Sequence, residues 1–424
     1  MVTVSLRHLA PTLALLALLG ACAPQVPPQP TPAPASPTPA PAGAAPAEAT
    51  PAGAAPASPT PANALLPRPL YLLQAGQIFR LERDGTTRSQ ITYEVPFQPD
   101  AAAVTDFAVS PADGSLAYIV QREGPPVLVR SGPDGSEPVR LFEDPLVAPG
   151  EPLFTPDGQY VAVRLQGPID EAERFVSGIY LIPAAGGTPR LLVADELQGD
   201  RDNAGFGHAP EAFAPDGSRL LTSRFGLSLE LCDLAVVSVP DGTTIVIQAP
   251  APTDGDRTMT CGTGVWSPDG ATIYFAPLRI GAPGGTPAIW EADPITGESL
   301  PLPSPDAGTP LTLYASPFAV PDGSLRAFTA EVDELPPAFA DEPPLLTSVM
   351  TRIDPATGAR TALRPPLEET PGLVLWDAAG AGAVVQLFPA MGDAGLFWLP
   401  AGDAEPTLLL GATTDLFAAA WAEP

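Results

Sequence analysis

The chain has 424 residues, with 48 Asp and Glu against 20 Arg, no Lys, and a formal net charge of −28. That balance excludes nucleic acid as a partner, since phosphates need clustered cations, and it opposes adsorption of the body to an anionic membrane surface. Only His8 and His208 supply imidazole, and no Gly-x-Ser-x-Gly, His-Glu-x-x-His or Gly-x-x-x-x-Gly-Lys motif occurs, so the sequence reads as non-enzymatic, without cofactor or metal.

Residues 1–22 carry Arg7, an apolar run from Leu9 to Leu19, and then Leu19-Gly20-Ala21-Cys22. The run is about half the length that a membrane-spanning helix needs, and it reads as the core of a signal peptide. Its end resembles the bacterial lipobox. The resemblance implies cleavage behind Ala21, lipidation of Cys22, and export. The body would then be lipid-anchored to the cell membrane or outer membrane, facing the periplasm or the exterior. Residues 23–67 are almost entirely Pro, Ala, Thr, Ser and Gly. They lack the large apolar side chains that offset chain entropy and are expected to stay disordered. Biased towards polyproline II, a tether of about 45 residues reaches up to roughly 140 Å.

Residues 68–424 read as one all-β domain. From Leu70 onward short apolar strands alternate with Gly-bearing turns. One unit recurs: Phe107-Ala108-Val109-Ser110-Pro111-Ala112-Asp113-Gly114, Phe154-Thr155-Pro156-Asp157-Gly158, Phe213-Ala214-Pro215-Asp216-Gly217, Trp266-Ser267-Pro268-Asp269-Gly270 and Phe318-Ala319-Val320-Pro321-Asp322-Gly323. A worn copy is Trp376-Asp377-Ala378-Ala379-Gly380. Pro presets the first torsion of the turn, Asp caps the following amides, and Gly accepts positive φ, so the aspartates read as structural. Short strands at a period of roughly 45–60 residues indicate a propeller or similar array. After each turn come a second strand such as Leu116–Val120, a third such as Ile179–Ile182, another turn, and a short fourth strand.

The first folded segment offers three strands, at Leu70–Leu73, Gln77–Leu81 and Gln90–Thr92, with no innermost one. Leu416–Trp421 ends the chain with the complementary excess. The expected architecture is therefore a β-propeller of seven four-stranded blades, closed by pairing of N- and C-terminal strands, with six blades as the alternative. The repeated turn resembles the WD40-like repeats, of the variety called PD40, in TolB-type propellers. The resemblance covers most of residues 68–424 and implies the fold, without implying TolB's partner. The blades also resemble the non-catalytic propellers of prolyl oligopeptidases.

Three sets of residues are candidates for chemistry. Cys232 and Cys261 form a disulfide in an oxidising compartment, or remain two buried thiols. Asp200, Asp202 and Glu211 occupy positions of a calcium loop, but Ala204 stands where an oxygen ligand belongs. Arg122, Arg164, Arg224 and Arg279 end four successive second strands, so the topology gathers them near one face. There they bind an anionic peptide or glycan, or pair with local acids. The leading functional reading is a monomeric binding or scaffolding platform at the cell envelope, with an envelope protein, peptide or glycan as partner. The opposing reading is a propeller enzyme of metal-dependent hydrolase or lactonase type.

Overall fold

The computed structural model describes residues 64–422 except 97, 99–100, 169–174, 197–204, 227–231, 249–257, 261–263, 280–287, 305–310, 334–346, 389–393 and 412–415. All its regular elements are strands, numbered in chain order. Blade 1 begins with β1 (Leu70–Gln74), β2 (Gln77–Leu81) and β3 (Arg88–Gln90). Blade 2 is β4 (Val104–Val109), β5 (Leu116–Val120), β6 (Val127–Ser131) and β7 (Val139–Glu143). Blade 3 is β8 (Ala148–Phe154), β9 (Tyr160–Gln166), β10 (Gly178–Pro183) and β11 (Arg190–Ala194). Blade 4 is β12 (Phe206–Phe213), β13 (Arg219–Gly226), β14 (Cys232–Ser238) and β15 (Thr244–Val246).

In blade 5 a two-stranded ladder of β16 (Thr258–Met259) and β19 (Leu278–Arg279) accompanies the sheet formed by β17 (Gly264–Trp266), β18 (Ile273–Phe275), β20 (Trp290–Ala292) and β21 (Ser299–Pro301). Blade 6 is β22 (Leu311–Ala319), β23 (Leu325–Val332), β24 (Ser348–Ile353) and β25 (Arg360–Ala362). Blade 7 is β26 (Thr370–Trp376), β27 (Gly382–Phe388), β28 (Gly395–Pro400) and β29 (Thr407–Leu410). The last strand, β30 (Leu416–Trp421), pairs antiparallel with β1, placing Leu70 opposite Trp421 and Leu72 opposite Ala419. The result is a propeller of seven four-stranded antiparallel blades, with the ring closed as expected. The six-blade alternative falls. β3 ends at Gln90, earlier than expected, and Ile91 and Thr92 donate their backbone N–H groups to Ile78 O beyond it.

Among the described residues seven apolar clusters hold the ring, one at every interface between blades. β5 shows how one strand serves two of them. Leu116, Tyr118 and Val120 pack towards blade 1, while Ala117 and Ile119 pack towards blade 3. All five residues are buried. A half-exposed sheet alternates apolar with polar, whereas a strand covered on both faces needs apolar side chains throughout. Leu65 and Leu66 join the cluster between blades 1 and 7, and their N–H groups donate to Arg83 O.

The turns do the work assigned to them. Asp157 Oδ1 accepts the Thr155 hydroxyl at 2.6 Å and the Gln159 N–H at 3.0 Å. Asp269 repeats this with Ser267 at 2.6 Å and Ala271 at 3.0 Å. In the worn copy Asp377 takes over the hydroxyl's place, and its Oδ2 accepts from Ala379 and Ala381. Gly158 sits at φ 68°, where a Cβ would lie 2.8 Å from Ala112 Cβ in the turn of the preceding blade. These turns, and those between third and fourth strands, occupy one end of the ring, the turn face. The links from second to third strands and from blade to blade occupy the other, the loop face.

Candidate functional site

Each second strand runs from turn face to loop face, which places an arginine at its far end in four blades. Arg122 lies just beyond β5 and pairs with Glu143 of its own blade at 3.5 Å. Arg164, in β9, is buried and forks onto Asp195, with Nη1 to Oδ1 at 3.0 Å and Nη2 to Oδ2 at 2.8 Å. Its Nη1 also donates to His208 O at 2.7 Å, and its guanidinium lies over Phe225. Arg224, in β13, donates from Nε and Nη2 to the two oxygens of Glu196, at 2.9 and 2.7 Å. It approaches Asp233 at 3.6 Å and stacks 3.4 Å from the Phe206 ring centroid. Arg279 pairs through its backbone with Thr258; its side chain lies outside the described residues.

The structure thus brings Arg164 and Arg224 together on the consecutive carboxylates Asp195 and Glu196, where the chain leaves β11 for β12. Arg122 pairs elsewhere. The two forks clamp blade 3 to blade 4 and supply the charge-assisted hydrogen bonds that planar guanidinium groups make well. His208 is fully buried in β12 beside them, its Nε2 3.4 Å from Glu196 Oε1 without a hydrogen bond. Burial lowers its pKa, against the pull of Asp195 and Glu196, so the ring is neutral at pH 7. The side-chain hydrogen bond from Arg224 holds the Glu196 carboxyl below its usual range, whereas burial raises that of Asp233.

Asp200 and Asp202 of the calcium-like loop lie outside the described residues. Glu211 sits in β12, where it accepts the Ser223 hydroxyl. Among the described residues no group of three or more His, Cys, Asp or Glu side chains is arranged to hold a metal. Cys22 and Cys261 also lie outside the described residues. Cys232 is disulfide-bonded, and Thr260, next to Cys261 in sequence, donates its backbone N–H to Cys232 O at 3.0 Å.

The sequence reading passed over one feature of the loop face. Tyr93 and Val95 between blades 1 and 2, Leu146 between blades 2 and 3, Val176 at the entry to β10, and Phe417 in β30 are all exposed. Among the described residues these are the exposed large apolar side chains of the loop face, and they belong to blades 1 to 3 and the links between them. Among the described residues the other exposed large apolar side chains are spread along outermost strands, at Val139, Leu191, Val246, Leu300 and Leu408, or lie on the turn face, at Tyr160 and Ile295. A signal was present: apolar residues recur in links that a plain connection would make polar.

The sequence matches no protein-family model, and no curated protein matches it. Solved structures do. A puromycin-hydrolysing peptidase of Mycobacterium tuberculosis is 14% identical, with a TM-score of 0.55 over 84% of this chain and 55% of that one. An oligogalacturonate lyase in complex with manganese is 14% identical, with a TM-score of 0.50 over 77% of this chain and 83% of that one. A putative TolB from Agrobacterium tumefaciens is 19% identical over 76% of this chain and 99% of that one, with a TM-score of 0.39, too loose to argue from. The chain spans 42% of the length of a prolyl endopeptidase that it also matches. At these identities the likeness shows a β-propeller and nothing finer.

Proposed function

We propose that the protein is an exported, lipid-anchored binding platform, whose propeller engages an envelope protein or peptide through the loop face. The observation that carries this reading is the loop face of blades 1 to 3, where Tyr93, Val95, Leu146, Val176 and Phe417 are all exposed. Grouped exposed apolar side chains mark interaction sites, while single ones do not. Binding rather than catalysis is favoured by the bonding of the polar groups. The turn aspartates cap their own turns, Arg164 and Arg224 are spent on Asp195 and Glu196, and His208 is buried. Cys22 would supply the lipid and residues 23–67 the tether.

The test is affinity purification of the intact tagged protein from gently solubilised membranes, with Cys22→Ala as control. A companion protein in constant ratio, lost when Leu146 and Val176 are both changed to Ser, supports the reading. Protein that purifies clean and binds no envelope component contradicts it, and moves the weight to a glycan or small ligand.

A further inference from the structure

Past the end of β3 residues 92–95 belong to no regular element and are held by an unusual partner. The primary amide of Gln77 stands in for a strand: its Nε2 donates to Glu94 O at 2.6 Å, and its Oε1 accepts from Glu94 N at 3.1 Å. Thr92 adds its own ties. Its hydroxyl accepts from Ile78 N at 2.8 Å and donates to Gln77 Oε1 at 3.0 Å. The backbone N–H of Thr92 donates to Ile78 O at 3.4 Å. The segment is therefore pinned along one edge, through Thr92 and Glu94.

In an extended chain successive residues turn their backbone groups to opposite edges. Glu94 spends both of its groups on Gln77, while among the described residues neither N–H nor C=O of Tyr93 or Val95 has a partner. The same two residues are the most exposed large apolar side chains described, at 76% and 79%. Phe417, also exposed, lies at the same end of blade 1, since its neighbour Leu416 pairs with Gln74, and Gln74 with Gln77. Pro96 follows Val95 and biases it towards extended backbone. An open strand edge with apolar anchors, fixed before any partner arrives, suits recognition by strand addition.

We propose that residues 92–95 are a docking strand for an extended basic peptide segment of a partner protein. Apolar side chains of that segment would pack on Tyr93 and Val95, and basic ones would lie between them. The basic character follows from charge complementarity. The chain carries −28, and Glu94 lies within the docking strand, close enough to Tyr118 to help burial push that phenol up to about 12. The proposal rests on the platform reading above and names the class of partner and the place where it docks.

The probe is a labelled, capped peptide of alternating Arg and Val, with a Glu–Val peptide of the same length as control, titrated into the full chain at physiological salt. Val95→Pro removes one outward donor at a position already biased to a compatible backbone, and Tyr93→Ser removes the larger anchor. Each is expected to weaken the Arg–Val peptide about tenfold, the loss of a single interface anchor. Both variants should retain the circular dichroism and melting transition of the parent. Absence of Arg–Val binding, equal binding of the Glu–Val peptide, or affinity unchanged in both variants overturns the proposal. Failure here is distinguishable from failure of the platform: a Tyr93→Ser, Val95→Pro chain that still captures its membrane companion undiminished leaves the platform standing and removes the docking strand.

Discussion

At the scale of single residues, stability rests on polar groups satisfied at close quarters. Arg164 and Asp195 are the sharpest case, both almost wholly buried and joined by two hydrogen bonds. Arg164→Met strands the carboxylate, and a loss of about 3–5 kcal/mol is expected in urea denaturation. Removing both charges with Arg164→Met and Asp195→Leu should cost much less. Trp266, Trp376 and Trp421 use their indoles similarly, each donating to a backbone carbonyl of the preceding blade, at Ala212, Ser316 and Trp376. Trp376→Phe keeps most of the packing and deletes the donor; the same assay should show a loss of about 1–2 kcal/mol. The turn aspartates give the pH dependence. Asp113 is desolvated, which raises its pKa, yet the hydroxyls of Ser110 and Ser115 and the Ser115 N–H outweigh this and hold it at about 2. A carboxyl depressed in the folded state stabilises above its unfolded pKa, about 4, and loses that contribution as pH falls through the folded value. The urea midpoint of the parent should exceed that of Asp113→Asn at neutral pH and converge with it near pH 2 (a gap that persists in acid would contradict this).

At the scale of elements, the repeated hairpin was legible because its turn constrains composition. Only Gly tolerates both the positive φ and the close approach at Gly158, and Asp and Thr supply the acceptor and donor that close the loop. Blade 7 shows the limit of that reading. Its turn lacks Pro-Asp, and the geometry survives because Asp377 supplies an acceptor from another position. Less legible were the partners of the arginines, since Asp195 and Glu196 come to Arg164 and Arg224 through the chain's path between blades and not through any local spacing. The clamp of Gln77 on Glu94 was likewise invisible, as nothing distinguishes that glutamine in sequence. For the disulfide we expect Cys261 as the partner of Cys232. Peptide mapping without reductant should recover the two as one cross-linked species, and Cys261→Ser should cost about 2–4 kcal/mol. A free thiol at Cys261 would contradict the pairing.

At the scale of the whole molecule, closure joins the two ends of the folded region. β30 completes blade 1, and Trp421 fills the cluster between blades 7 and 1 in a T-shaped contact with Trp398. The architecture could be read from the sequence because one unit recurs and the missing strand at one end matches the spare strand at the other. Function could not be read so far, because it depends on which links gather over the same sector of one face, and connecting segments carry no repeat. Photo-crosslinking in whole cells tests the central claim, with the crosslinking residue placed at Leu146 on the loop face or at Asp241 on the turn face. The account predicts one envelope protein joined through position 146 and none through 241. Crosslinks of equal yield from both positions, or from the turn face alone, would contradict it.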